Sequence, residues 1–327
     1  MNQTVSPSEI ICVDDGSTDG GGEIVAKRYP GVELIRQRNH GEGPARNAGI
    51  LASKMDWIAF LDADDAWSTD HLQIFSQSLQ TYPSGLFFSG GTLPKRIPSS
   101  VFSDDPEVAA EEVDQLLRRA RKTSTAEFSS VDYFAASAAQ ESAANSSSTI
   151  VARQMFDNQD LLFGVDQLHV DLLQWCKIGR LYPLVQSSAP TVALTRHDAS
   201  ISEENRRRRA RPDLVDCKAY KGLPHFSFVE QVLESGDTGQ AAVENLELYR
   251  DGVVTRHWPT VLLYGHQSCA KRAVRELRRP THPRAILLRL AASVPERLSP
   301  LISRILLVMA SRAGLVLPVS PFSAKAE

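Results

Sequence analysis

Two short acidic runs carry the residue types most able to do chemistry: "VDDGSTDG" at 13–20 and "LDADDAW" at 61–67. In the second, Asp62, Asp64 and Asp65 crowd several carboxylates into a few residues, where they repel one another unless a cation sits among them. Oxygen donors without a nearby cysteine or histidine suit a hard ion, Mg2+ or Mn2+, which also takes substrate phosphates. In the first run Ser17, Thr18 and Asp19 are all good helix-capping types. A cap needs one such side chain, and this run supplies several.

Elements must place these runs. Ile10–Val13 reads as a short buried strand and Trp57–Leu61 as another, each running straight into its aspartates. Between them lie a helix in "GEIVAKRYP", stopped by Pro30 and Gly31, a strand in "VELIRQ" and a helix in "GPARNAGILASK". "STDHLQIFSQSLQTYP" follows as a helix with Ser68 or Thr69 as cap. The alternation argues an α/β fold with a mixed, mostly parallel sheet and helices on both faces. Ligands of such sheets sit beyond the carboxyl ends of the strands, so both acidic runs are expected to face one crevice.

The pattern weakens from about 90 to 145, where "EEVDQLLRRARK" reads as an exposed helix and "AASAAQESAANSSS" as a loop or flap. "STIVAR" restores a strand, and "VDLLQWCKIGRLYPL" reads as a helix leading into another. These boundaries predict a first domain over 1–205 and a helical, basic C-terminal region over 206–327. The chain has 327 residues, 42% hydrophobic, with a net charge of −3, an ordinary composition for a water-soluble protein and a poor one for a nucleic-acid binder. Cys12, Cys176, Cys217 and Cys269 form no CxxC pair, which fits a reducing cytoplasm. "MNQTVSPSE" has no signal-peptide pattern, and no apolar run reaches the roughly 18 residues of a membrane span.

Taken together, "VDDGSTDGGGEIV", "GEGPARNAGI" and "WIAFLDADDAW", in this order and spacing, resemble the donor half of inverting family 2 glycosyltransferases with the GT-A fold. The likeness continues through "NSSSTIVARQMF" and "LTRHDASIS" and covers roughly residues 1–202. It implies an enzyme that moves a sugar from a nucleoside-diphosphate sugar to a hydroxyl acceptor on a glycan or lipid carrier, as in polysaccharide or cell-surface glycan synthesis. It also implies roles. Asp14 or Asp15, with Ser17, meets the base or ribose; Arg46 approaches the nucleotide, Asn47 holds that turn, and Asp62 lies near the ribose. Asp64, helped by Asp65, holds the Mg2+ or Mn2+ that bridges the diphosphate, and His197 closes over the metal or diphosphate.

Two departures qualify the likeness. The family's first strand and helix are missing ahead of "MNQTVSPSE", an arrangement expected to leave a strand edge uncovered. Where the family carries an "ED" pair for the general base, this chain reads "FGVDQLHVDLLQ". Asp171 is the first candidate for that base, Asp166 the second and His169 the third. A non-catalytic relative that keeps a nucleotide cleft and a Mg2+-dependent phosphohydrolase are the competing readings. Arg206–Arg209 with Arg211 form a basic run, read as solvated or as meeting phosphates. Leu298, Leu301, Ile302, Ile305, Leu306 and Met309 recur at helical spacing beside Arg297, Arg304 and Arg312. That stripe fits packing on protein, or peripheral contact with an anionic membrane at its inner face.

Overall fold

The computed structural model describes residues 2–93, 97–98, 102–103, 105–121, 126–139, 143–165, 170–196, 223–256, 267–279 and 283–294. Asp166, His169, His197, the Arg206–Arg211 run and the 298–309 stripe lie outside the described residues. The chain divides into two compact units, Met1–Ser200 and Ile201–Glu327.

The first unit opens with strand β1 (Ile11–Asp14), helix α1 (Gly21–Arg28), strand β2 (Glu33–Arg36) and helix α2 (Glu42–Ala52). β1 and β2 pair in parallel, Ile11 opposite Glu33 and Asp14 opposite Arg36. Then come β3 (Trp57–Ala59), β4 (Ala66–Trp67), α3 (His71–Thr81), β5 (Phe87–Thr92), β6 (Ile97–Pro98) and α4 (Pro106–Ala120). β7 (Phe128–Val131), α5 (Tyr133–Ala139), β8 (Thr149–Ala152), α6 (Val170–Leu181), β9 (Leu184–Ala193) and β10 (Thr195–Arg196) complete it. The larger sheet has the order β3-β8-β5-β9-β4, with β7 also on β9.

The sheet is mixed, as expected, but not mostly parallel. Only β5–β9 runs parallel within the larger sheet, while β3–β8, β5–β8, β4–β9 and β7–β9 are antiparallel. The β-α-β rhythm that argued for parallel pairing belongs to the first 92 residues, whereas the antiparallel partners come from 128–193. A second difference concerns the two acidic runs. Among the described residues β1 bonds only to β2 and β3 only to β8, so the two runs do not end neighbouring strands of one continuous sheet. The described residues of the Ser/Ala-rich stretch include most of α5 and a buried turn at Ser146–Ser148, closed by a reciprocal capping box between Asn145 and Ser148.

The core explains how the sheet supports the acidic runs. Phe60, two residues ahead of Asp62, packs edge-on against Phe156, Phe163 and the fully buried Trp175 of α6. Trp175 also stacks on Phe87 of the central strand β5. Aromatic pairs of this geometry add about 0.5–1.5 kcal/mol each beyond the area they bury. The end of β3 is therefore anchored between sheet and helix. At the start of α3 neither Ser68 nor Thr69 acts as cap; Asp70 takes that position, and the Gln3 side chain accepts from Leu72 N instead. Asp70 serves another partner, Arg121, whose two terminal nitrogens donate to its carboxylate at 2.6 Å each. Burial opposes ionisation there, but Arg121 and Ser68 outweigh it and hold the carboxyl at about 2.

The described part of the second unit is helical: α7 (Pro224–Ser235), α8 (Gln240–Arg256), α9 (Gln267–Glu276) and α10 (Pro283–Ser293). Buried Arg250 bonds Glu230, Asp251 and the Glu276 carbonyl, tying three of these helices together. None of the helices among the described residues is long and apolar enough to cross a membrane.

Candidate functional site

α2 is the hinge of the site, because it is bonded to both acidic runs. The Asp15 carboxylate accepts from Gln37 Nε2 at 2.7 Å, His40 N at 3.0 Å and Gly41 N at 2.9 Å. These bonds hold its carboxyl below the usual range against the cost of burial, and they fix the entry to α2. Asp14 turns into its own loop instead, accepting from Ser17 N at 2.8 Å, a bond that lowers its pKa. A Cβ at Gly22 would lie 2.1 Å from that carboxylate, so a larger residue there would force the Asp14 side chain out of its loop. None of the capping candidates is the N-cap of α1, which is Gly20; Asp19, one residue ahead, accepts from Gly21 N at 2.9 Å.

One turn into α2, Arg46 reaches across to the second run. Its guanidinium donates to Asp62 Oδ1 at 2.8 Å and to Glu42 Oε2 at 3.0 Å, and lies 5.4 Å from the Phe163 ring centre. Asn47 makes a paired bond with residue 163: its Nδ2 donates to Phe163 O and Phe163 N donates to its Oδ1, both at 2.9 Å. The approach is close enough that a Cβ at Gly43 would sit 2.1 Å from Gly164 O. Alanine at 43 would therefore push α2 away from the site.

Arg46 stands among three carboxylates. Burial raises the pKa of Asp171 at the start of α6; Arg46 opposes this and Asp62 adds to it. Asp171 keeps partial solvent contact. Glu42 is also raised, chiefly by burial, with Asp171 and Asp62 pushing the same way against Arg46. Among the described residues, the one cation Arg46 faces the three carboxylates of Glu42, Asp62 and Asp171, an excess of acids over bases.

The acidic turn itself is closed by Asp65 N donating to Asp62 O at 3.1 Å. Asp62 N donates to Ser147 Oγ at 3.0 Å, and Ser147 Oγ donates to Asp65 Oδ2 at 2.6 Å. Thr195 N donates to Asp65 Oδ1 at 2.8 Å, and the Thr195 hydroxyl donates to the Asp64 carbonyl. Burial pushes the Asp65 carboxyl up to about 6 despite these bonds, with Asp64 and Asp62 adding to the rise. Among the described residues, no three His, Cys, Asp or Glu side chains converge on a metal position. The oxygen-only donor set fits a hard ion that completes its coordination with phosphate and water.

Of the residues singled out by sequence, Arg46, Asn47, Asp62 and Asp171 are thus brought together, and Asp64 and Asp65 lie on the adjoining turn. Asp15 reaches this group through its bond to Gly41 N at the entry to α2. Sequence reasoning missed Glu42, Ser147 and Thr195. Glu42 is legible as an i,i+4 acidic partner of Arg46. Ser147 and Thr195 carry no local signal, lying 85 and 130 positions from their partners Asp62 and Asp65.

Residues 1–92 match the sequence profile of the family described as "Glycosyl transferase family 2". The fold is of the GT-A type: over 96% of this chain and 81% of the other, the structure aligns with Staphylococcus aureus TarS 1–349 at a TM-score of 0.52 and 15% identity. The N-terminal segment is thus similar to glycosyl transferase family 2. Among curated relatives, an uncharacterized glycosyltransferase of Nostoc sp., alr2836, is 42% identical over 85 residues, 25% of this chain and 26% of the relative. The succinoglycan biosynthesis protein ExoW of Rhizobium meliloti is 31% identical over 96 residues, 28% of this chain and 30% of the relative. The matched segment spans about a quarter of the Nostoc relative's length.

Proposed function

We propose that this chain transfers a sugar from a nucleoside-diphosphate sugar to a hydroxyl acceptor on a glycan or lipid carrier, with inversion and with help from Mg2+ or Mn2+. The observation that carries the reading is the Arg46 bridge. It joins the "ARN" helix to the acidic turn beside a recessed carboxylate, which unites a donor-side arginine, a metal-type turn and a base candidate. TarS 1–349 has been crystallised with UDP and with UDP-GlcNAc, and ExoW is named for polysaccharide synthesis, which supports the donor class and a glycan acceptor.

In this reading Asp64 contributes to the metal site and Asp62 meets the ribose. The bound ion would neutralise charge on the departing nucleoside diphosphate. Asp171 accepts the proton of the acceptor hydroxyl, and its raised pKa suits a base working near neutral pH. Arg46 keeps that acid ionisable and holds Asp62 in place. Aspartates 14 and 15 order the loop over which the nucleotide base would lie, and His197 serves as a further metal or diphosphate contact. A cytoplasmic setting supplies the donor, and the 298–309 stripe supplies membrane contact when the acceptor is lipid-linked.

Excess negative charge in the cleft makes donor binding depend on the cation. Calorimetry with UDP, GDP and dTDP should show binding of at least one with Mn2+ and little without it. Asp64→Ala should abolish the metal-dependent part while leaving the melting temperature unchanged or slightly raised, since one member of a repelling group is gone. Equal nucleotide binding with and without Mn2+ would remove the metal from the mechanism.

A further inference from the structure

We propose that Asp65 and Ser147 are positioning residues that hold the acidic turn ready for its cation, and that Asp65 is not itself a metal ligand. The inference rests on the transferase reading and assigns separate tasks to neighbouring aspartates. Both Asp65 oxygens are already engaged by protein donors, Oδ2 by the Ser147 hydroxyl and Oδ1 by the Thr195 amide. The same Ser147 oxygen receives the Asp62 amide, so one buried hydroxyl spans the two ends of the turn. Thr195 makes a second clamp, with its amide on Asp65 and its hydroxyl on the Asp64 carbonyl. The backbone on both sides of the Asp64 side chain is therefore fixed from two chain-distant segments.

Ser147 is in turn immobilised. It lies at the centre of the Ser146–Ser148 turn, and its carbonyl accepts from Trp67 Nε1 at 2.6 Å. Trp67 stacks on His71 with ring centres 4.3 Å apart, and His71 Nδ1 meets Thr191 Oγ1 of β9 at 2.8 Å. Sheet, serine turn and acidic turn form one connected network, in which Asp65 is a bracket. Side chains that orient metal ligands typically cost about 10- to 100-fold in metal affinity when removed.

Asparagine separates a bracket from a ligand. At position 65 it keeps an oxygen for the Thr195 amide and offers an amide N–H to Ser147 Oγ, while its charge is lost. Mn2+ affinity measured by calorimetry in the presence of UDP should stay within about threefold of the parent in Asp65→Asn, and fall about 10- to 100-fold in Asp65→Ala and Ser147→Ala. An Asp65→Asn loss equal to that of Asp64→Asn would overturn the assignment, as would parental affinity in Ser147→Ala. A parent that shows no Mn2+-linked binding of UDP or GDP fails the transferase reading instead. The bracket is then decided by amide hydrogen exchange in the unliganded chain. Exchange at Asp62 must quicken in Ser147→Ala and at Thr195 in Asp65→Ala, and unchanged rates would overturn it.

Discussion

Asp171→Asn should lose at least about a hundredfold in sugar transfer while its affinity for nucleotide stays within a few-fold of the parent, because a positioned base contributes about 10² to 10⁴ in rate. The donor is held elsewhere, by the metal turn and the α2 motif, so the loss should fall on kcat. Asparagine keeps the shape and hydrogen-bonding size of the side chain, which leaves the start of α6 in place. The pH profile gives a second check. Burial raises the Asp171 carboxyl above the ordinary aspartate range, so transfer by the parent should fall on its acid limb at a higher pH than a surface aspartate would give. Parental turnover in Asp171→Asn would pass the base to Asp166 or His169.

Arg46→Met should produce the second large effect, this time on stability. The substitution keeps most of the apolar stem over Phe163 and removes the charge that bridges Glu42 and Asp62. Breaking a buried ion pair from one side costs about 3–5 kcal/mol; Glu42 and Asp62 keep 48% and 38% of their side-chain exposure, which brings the expectation down to about 2 kcal/mol. For a unit of this size that is a melting-point loss of about 5 °C. The sign of its pH dependence follows from the carboxylates left behind. Glu42 and Asp171 already have raised pKa values in the folded state, and removing Arg46 raises them further. A group that binds its proton more tightly when folded lowers stability as pH rises through its titration range. The deficit of Arg46→Met should therefore be full at pH 7 and shrink as the pH falls toward and below about 4, where the unfolded chain's carboxylates also take up protons. Denaturant titrations of parent and variant at pH 7 and pH 4.5 would show this; a deficit independent of pH would place the role of Arg46 in packing.

These two residues show which parts of the site the sequence carries. Arg46 and Asn47 follow a proline-led helix start, and Asp62–Asp65 follow an apolar strand, so local pattern and residue type suffice to read them. Asp171 is legible as an acid in the first turn of a helix, although which acid serves as base rests on spacing within "FGVDQLHVDLLQ". Local rhythm also misleads. Parallel order inferred from the first 92 residues does not extend to the strands at 128–193, whose antiparallel pairing is set by long-range burial. Neither does capping chemistry identify the carboxylates that end up tied down: Asp15 secures α2 and Asp65 secures the acidic turn, each through partners remote in sequence. Ser147 is unreadable from sequence for the same reason, one serine among several in a stretch whose composition resembles a loop.

The central claim is that the cleft activates a nucleoside-diphosphate sugar through a cation and a base. The most direct measurement follows the intact chain, supplied with a panel of UDP-, GDP- and dTDP-sugars and Mn2+, by proton NMR for release of free sugar. The account predicts Mn2+-stimulated cleavage of at least one donor, first appearance of the anomer opposite to that of the donor, and loss of the signal in Asp64→Ala and Asp171→Asn. Absence of cleavage with every donor, or cleavage that retains the anomer and ignores Mn2+, would contradict it.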